Sequence, residues 1–166
     1  MQVRSAELED ADRILALYRR VARLPGGLAR LENEVDEHYV ENFLARSVAS
    51  GICLLAVDSA GELRGEIHAY TPGIYCFSHV LSELTIAIDP AVQGKGVGRQ
   101  LFSAFLLGVR QHARITRVEL IARQSNLKAI GLYESLGFVA EGTLSRRIRN
   151  LDGSFEADIP MAWTRD

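Results

Sequence analysis

Apolar side chains recur at Ile14, Leu15, Leu17, Tyr18 and Val21, close to the 3.6-residue period of a helix buried on one side. Pro25-Gly26-Gly27 ends that segment. A second, strongly acidic helix is predicted beyond it, with Val35, Tyr39, Phe43 and Leu44 on one face. Two apolar runs, 52–57 and 63–70, are joined by the polar turn Asp58-Ser59-Ala60-Gly61 and read as an antiparallel hairpin. A further strand over 81–88 stops at Asp89-Pro90. Helical spacing returns from about Val97, through Leu101, Phe102, Phe105 and Val109. Val118, Leu120 and Ala122 alternate in a strand, a helix is expected over about 126–136, and two last strands flank residues 151–154. With a short strand at 2–4, the order is β-α-α-β-β-β-α-β-α-β-β. The strand–helix–strand unit in the middle implies a right-handed parallel crossover. The fold class is therefore mixed α/β (α+β), a central sheet with helices on both faces.

The 166 residues suit one domain, 1–166, and 48% apolar content supplies a core without disulfide or metal staples. A net charge of −2 argues against nucleic acid and against a polybasic membrane binder. Cys53 and Cys76 match neither a metal spacing nor a disulfide framework, and no His, Cys, Asp or Glu cluster has metal-ligand spacing. The chain turns acidic at Glu7 before any apolar run, and no apolar stretch is long enough to span a bilayer. A soluble cytoplasmic protein is expected. Homodimerisation is left open.

The most informative segment is Gln93-Gly94-Lys95-Gly96-Val97-Gly98-Arg99, between a predicted strand and a predicted helix. Its glycines allow close backbone approach, and its N–H groups at a helix N-terminus form an anion site. It is not a Walker A loop, because Gly96 follows Lys95 where Ser or Thr is needed. Nor is it a dinucleotide fingerprint, because Arg99 stands where the last glycine belongs.

Gln93, Gly96 and Gly98 do match the pattern [RQ]-x-x-G-x-[GA]. With it go Glu83-Leu84-Thr85-Ile86-Ala87-Ile88-Asp89-Pro90 upstream and Asn126-x-x-Ala129-Ile130-x-Leu132-Tyr133-Glu134-x-Leu136-Gly137-Phe138 downstream. The three motifs together resemble the GNAT superfamily of N-acetyltransferases, over nearly the whole chain. The tail, Glu141-Gly142-Thr143-Leu144 with Asp152-Gly153 and Asp158, resembles bacterial phosphinothricin-type and ribosomal-protein-type members.

That resemblance implies acetyl-CoA, or another acyl-CoA, as donor and a small-molecule or peptide amine as acceptor, with direct transfer in a ternary complex. It implies pyrophosphate binding by the backbone from Gly94 to Arg99, including Lys95 and Val97, and pairing of the pantetheine arm with Ile86, Ala87 and Ile88. It implies that the fourth and fifth strands splay to admit that arm, leaving backbone groups unpaired. By the same resemblance Tyr133 protonates the departing thiolate, and a core tyrosine is the plainer alternative. By resemblance to phosphinothricin-type members Glu83 is the candidate base, with a solvent-facing strand residue or a water chain as the alternatives. An alkylammonium has a pKa near 10.4 and must lose a proton before it can attack. Asn126 combines cofactor contact with a helix N-cap. His68 and His79 fall near the acceptor side, although a lone histidine is more often structural. The rival reading is a catalytically silent acyl-CoA-binding or sensing domain.

Acceptor choice is expected from residues 24–34, 70–80 and 149–155. The acidic residues Glu34, Asp36, Glu37 and Glu41 would favour a cationic amine if they bordered the cleft; otherwise they form a solvated face. Charge is unevenly divided. Residues 91–128 carry seven basic side chains against Glu119 alone, whereas residues 1–90 carry 8 basic and 14 acidic ones.

Overall fold

Strand β3 (Leu63–Tyr70) is buried along almost its whole length and separates two hydrophobic cores. The computed structural model describes residues 1–165. Before β3 come β1 (Gln2–Ser5), α1 (Ala11–Ala22), α2 (Glu37–Ser50) and β2 (Gly51–Val57). After it come β4 (Val80–Ile88), α3 (Val97–Gln111), β5 (Arg117–Arg123), α4 (Leu127–Ser135), β6 (Val139–Ala140), β7 (Leu144–Arg149) and β8 (Phe155–Thr164). The sheet order is β1-β2-β3-β4-β5-β8-β6, with β7 also pairing β8. Only β4 and β5 pair in parallel, joined through α3; every other described pairing is antiparallel. The mixed sheet covered on both faces agrees with the sequence pattern.

On one face α1 and α2 pack on the sheet through Ile14, Leu17, Tyr18, Phe43 and Leu44. On the other, α3 buries Leu101, Phe102, Phe105 and Val109, all inaccessible to solvent. Each such side chain contributes about 1.5–3 kcal/mol of transfer free energy. β1 is tied to the start of α1 by Arg4, whose guanidinium makes a two-pronged bond to Asp10 at 2.6 and 2.7 Å.

Two boundaries differ from the periodicity. Val35 is buried but precedes α2, because Asp36 accepts the Tyr39 N–H at 2.8 Å and starts the helix at Glu37. β6 was not anticipated: two exposed residues are too few for an alternation to register.

Candidate active site

β4 and β5 stay together only at Val80–Arg117, Leu81–Val118 and Leu84–Leu120. Beyond Leu84, β4 continues along β3 to Ile88, while β5 follows β8 as far as Arg123 opposite Asp158. The strands part, as the resemblance implied. The break begins at a bulge: three steps on β4, from Ser82 to Thr85, oppose two on β3, from Tyr70 to His68. Glu83 sits in that bulge at φ +57°, a left-handed conformation that costs a non-glycine residue about 1–2 kcal/mol. Asp89 N–H donates to the Arg64 carbonyl at 2.8 Å. Antiparallel alternation then faces Ala87 and Thr85 toward β3 and turns the backbone groups of Ile86 and Ile88 toward the gap. The Ile88 carbonyl accepts the Gln93 side chain at 3.1 Å.

The gap opens into a cleft of about 580 Å³. Its walls are residues 82–86 of β4, residues 119–123 of β5, and Asn126, Ala129 and Tyr133. The loop residues 26–30, then Tyr39, Asn42 and Phe43 of α2, and His68 and Tyr70 of β3 close the other side. Arg147 and Asp158, rather than the turn 149–155, complete the rim.

The glycine turn lies outside those walls, at the end of β4 where the strands have separated. Asp89 accepts the Ala91 N–H at 2.9 Å and pairs with Arg20 and Arg64, which anchors the turn to α1 and β3. Gly94 and Gly96 have φ of +76° and +82°, and Gly96 caps α3 without a side-chain bond. The first helical bond runs from Gln100 N–H to the Gly96 carbonyl at 3.0 Å. The N–H groups of Val97, Gly98 and Arg99 therefore precede the ladder and need an outside acceptor. A Cβ on Gly98 would meet Ile88 at 3.6 Å, ordinary contact, so the protein's own packing does not require glycine there. Lys95 Nζ donates to the Ala91 carbonyl and Arg99 to Ser135 Oγ, both at 2.9 Å. The basic excess of this segment is largely spent elsewhere. Arg117 binds Glu119 and Glu141, Arg123 binds Glu156, and Arg110 lies over the Trp163 ring.

Tyr133 is 9% exposed and lines the cleft. Its ring packs against Phe102 and Phe138, at centroid distances of 5.5 and 6.2 Å. Burial pushes its hydroxyl up to about 12. That hydroxyl bonds to no other described residue. Asn126 caps α4 by accepting the Ala129 N–H at 3.2 Å and also faces the cleft.

Other expectations separate here. His68 lines the cleft, but His79 does not and is exposed. Glu34, Asp36, Glu37 and Glu41 are exposed away from the cleft, so that face is solvated. Tyr39, Asn42 and Phe43, from the opposite side of α2, supply its part of the wall. Sequence reasoning missed the buried group Tyr18, Cys53, Glu66 and His68, because Tyr18 meets its partners only across 48 and 50 residues of chain. An acidic Glu66 and a His68 two residues apart, on one face of a strand buried almost throughout, were the available signal.

The donor-site residues suit a CoA thioester. Orphan N–H groups at α3 match its phosphates, the gap-facing backbone of Ile86 and the Ile88 N–H match an amide-bearing arm, and the parted strands leave it a slot. Among the described residues no helix is long and apolar enough to cross a membrane, and no group of three or more His, Cys, Asp or Glu side chains is arranged to hold a metal ion.

Known proteins point the same way. Over 89 residues the chain is 39% identical to the mycothiol acetyltransferase of Salinispora arenicola, covering 51% of this chain but 28% of that protein. Over 86 residues it is 43% identical to the [ribosomal protein bS18]-alanine N-acetyltransferase of Salmonella typhimurium, covering 50% of this chain and 57% of that one. The chain thus spans between about a quarter and three-fifths of these curated relatives. A GNAT superfamily phosphinothricin acetyltransferase from Sinorhizobium meliloti, crystallised in complex with acetyl-CoA, superimposes with a TM-score of 0.85 at 18% identity, covering 98% of this chain and 87% of that one. The model of the acetyltransferase (GNAT) family matches residues 12–138. Because that match covers more than half of its length, this chain belongs to the acetyltransferase (GNAT) family.

Proposed function

We propose that the protein transfers an acetyl group from acetyl-CoA to a primary amine by direct attack within a ternary complex. The observation that carries this reading is the separation of β4 from β5 beyond Leu84, with Tyr133 inside the opening and the uncapped start of α3 at its end. The N–H groups of the turn from Gly94 to Arg99 hold the pyrophosphate, helped by the helix dipole and by Lys95. Ile86 and Ile88 offer backbone groups to the pantetheine arm, with Ala87 between them anchoring β4 to β3. A β4 N–H polarises the thioester carbonyl. Acetyl-CoA supplies the activated acyl group.

Tyr133 donates its proton to the leaving sulfur. It is protonated throughout the physiological range, and the same dry surroundings that hold its proton raise the proton affinity of a thiolate beside it. Glu83 stands in the path of the proton the amine must lose. The acceptor enters between α2 and the loop 26–30, where Tyr39, Phe43 and Tyr70 form an aromatic wall beside Asn42, Glu83 and Arg30. A small amine, an amino acid or a protein N-terminus suits this opening.

Thermal melting with acetyl-CoA, run beside thiol release across a panel of such amines, tests the reading. Stabilisation with turnover is expected. Stabilisation without turnover on any amine would instead favour an acyl-CoA sensor.

A further inference from the structure

One buried polar group in the acceptor wall is left without a role by this scheme. Tyr18, Cys53, Glu66 and His68 are each at most 5% exposed. Tyr18 Oη donates to Glu66 Oε2 at 2.6 Å, and Cys53 Sγ donates to Glu66 Oε1 at 3.1 Å. His68 Nδ1 lies 3.0 Å from Glu66 Oε1 and 3.3 Å from Tyr18 Oη. Burial first, and then the Glu66 charge, push Tyr18 well above the ordinary tyrosine range; burial does the same to Cys53. Both therefore remain protonated donors.

Tyr18 has one proton, and Glu66 takes it, so none is left for Nδ1. Nδ1 must then carry its own proton and donate it to Glu66. A neutral imidazole held this way has its lone pair at Nε2. Nε2 bonds to no described residue, yet among the described residues Arg20 Nε is the sole side-chain nitrogen or oxygen sealed without a partner. Nε2 is thus open, and the surface that His68 reaches is the cleft. The ring is locked in place, stacked on Phe43 at 3.9 Å and 7°.

We propose that His68 Nε2 is the first acceptor of the proton leaving the amine, with Glu66 as the positioning residue that orients the ring and balances the imidazolium. This rests on the acyl-transfer reading. One ammonium N–H bond breaks, its proton bonds to Nε2, and the freed electron pair attacks the thioester carbonyl carbon. The C–S bond breaks and the sulfur takes the Tyr133 proton. The second nitrogen proton, lost as the amide forms, restores Tyr133. The imidazolium passes its proton through Glu83 or water to solvent, so the net products are amide, thiol and one proton.

The titratable and charged groups beside His68 are Tyr18 on α1, Cys53 on β2, and Glu66 and Tyr70 on β3, and Tyr39 on α2 and Glu83 on β4 line the same cleft. Arg30 lies over Tyr39 at 3.9 Å and Arg46 over Tyr70 at 4.2 Å.

The test is His68→Asn, which keeps an amide where Nδ1 bonds Glu66 but removes Nε2. Turnover should fall by about 10²-fold or more. Acetyl-CoA affinity should hold, and the residual rate should keep rising with pH where the wild type levels off. Nitrogen NMR of the histidine rings in the wild-type protein should find His68 protonated at Nδ1. A proton found on Nε2 instead overturns the proposal, even if the variant does not fold. So does an active wild type whose variant turns over within about threefold of it. A wild type that acetylates no amine removes the acyl-transfer reading, and this proposal with it.

Discussion

Tyr133→Phe removes one atom, the hydroxyl, and leaves the ring against Phe102 and Phe138. Because that hydroxyl bonds to no other described residue, its loss should change stability by less than about 1 kcal/mol. That corresponds to no more than about 4 °C in Tm for a chain of this size. Its ionisation is another matter. Burial lifts the group from 10.0 to about 12. Two units at 1.36 kcal/mol each make the buried tyrosinate about 2.7 kcal/mol costlier than an exposed one. The folded pKa is the higher one, so this stability is fully present below about pH 10 and is lost as pH rises toward 12. A phenylalanine ring cannot ionise, so the variant should lack that alkaline loss.

Turnover should respond far more strongly. A positioned acid contributes about 10²–10⁴-fold, and a fall of at least tenfold in kcat is expected. Acetyl-CoA affinity, by calorimetry, should be nearly unchanged, since the groups proposed to hold the phosphates and the pantetheine arm are backbone groups elsewhere. The assay is thiol release at saturating donor and amine. A kcat within about threefold of the wild type would reduce Tyr133 to packing and refute its role as the acid.

Three other changes test separate roles, two in the site and one in the fold. Gly98→Ala should stabilise α3 by up to about 1 kcal/mol, because glycine is a poor helix former and the added Cβ meets only ordinary contact; acetyl-CoA affinity should nevertheless weaken about tenfold or more, and unchanged affinity would remove the turn as the phosphate cradle. Glu83→Gln should lower turnover about tenfold and alter the pH–rate profile; a profile that overlays the wild type dismisses Glu83 from the proton path. Asp10→Asn should cost about 1–3 kcal/mol at neutral pH by breaking the Arg4 pair. The Arg4 hydrogen bond holds the Asp10 carboxyl below its ordinary value, so its contribution is present above about pH 4 and fades as pH falls through the native value. Melting curves of wild type and variant should converge in acid; a gap that persists there rules out the ion pair as its cause.

Much of this protein is legible along the chain. The 3.6-residue spacing of Leu101, Phe102, Phe105 and Val109 is local, and α3 follows from it because one helix face must be buried. The turn residues of the glycine loop and the N-cap at Asn126 are local chemistry too. Three spaced motifs were therefore enough to indicate the family and the donor. Contacts between distant segments were not legible in this way. Only the packed structure decided that the acidic face of α2 points to solvent while Tyr39 and Phe43 wall the cleft. It alone put a bulge at Glu83, where no glycine announces a positive φ. It alone brought Tyr18 from α1 onto Glu66 and His68 of β3. Periodicity records which side of an element is buried. Which partner it is buried against, and hence which nitrogen of a histidine keeps its lone pair, depends on how distant segments close on one another.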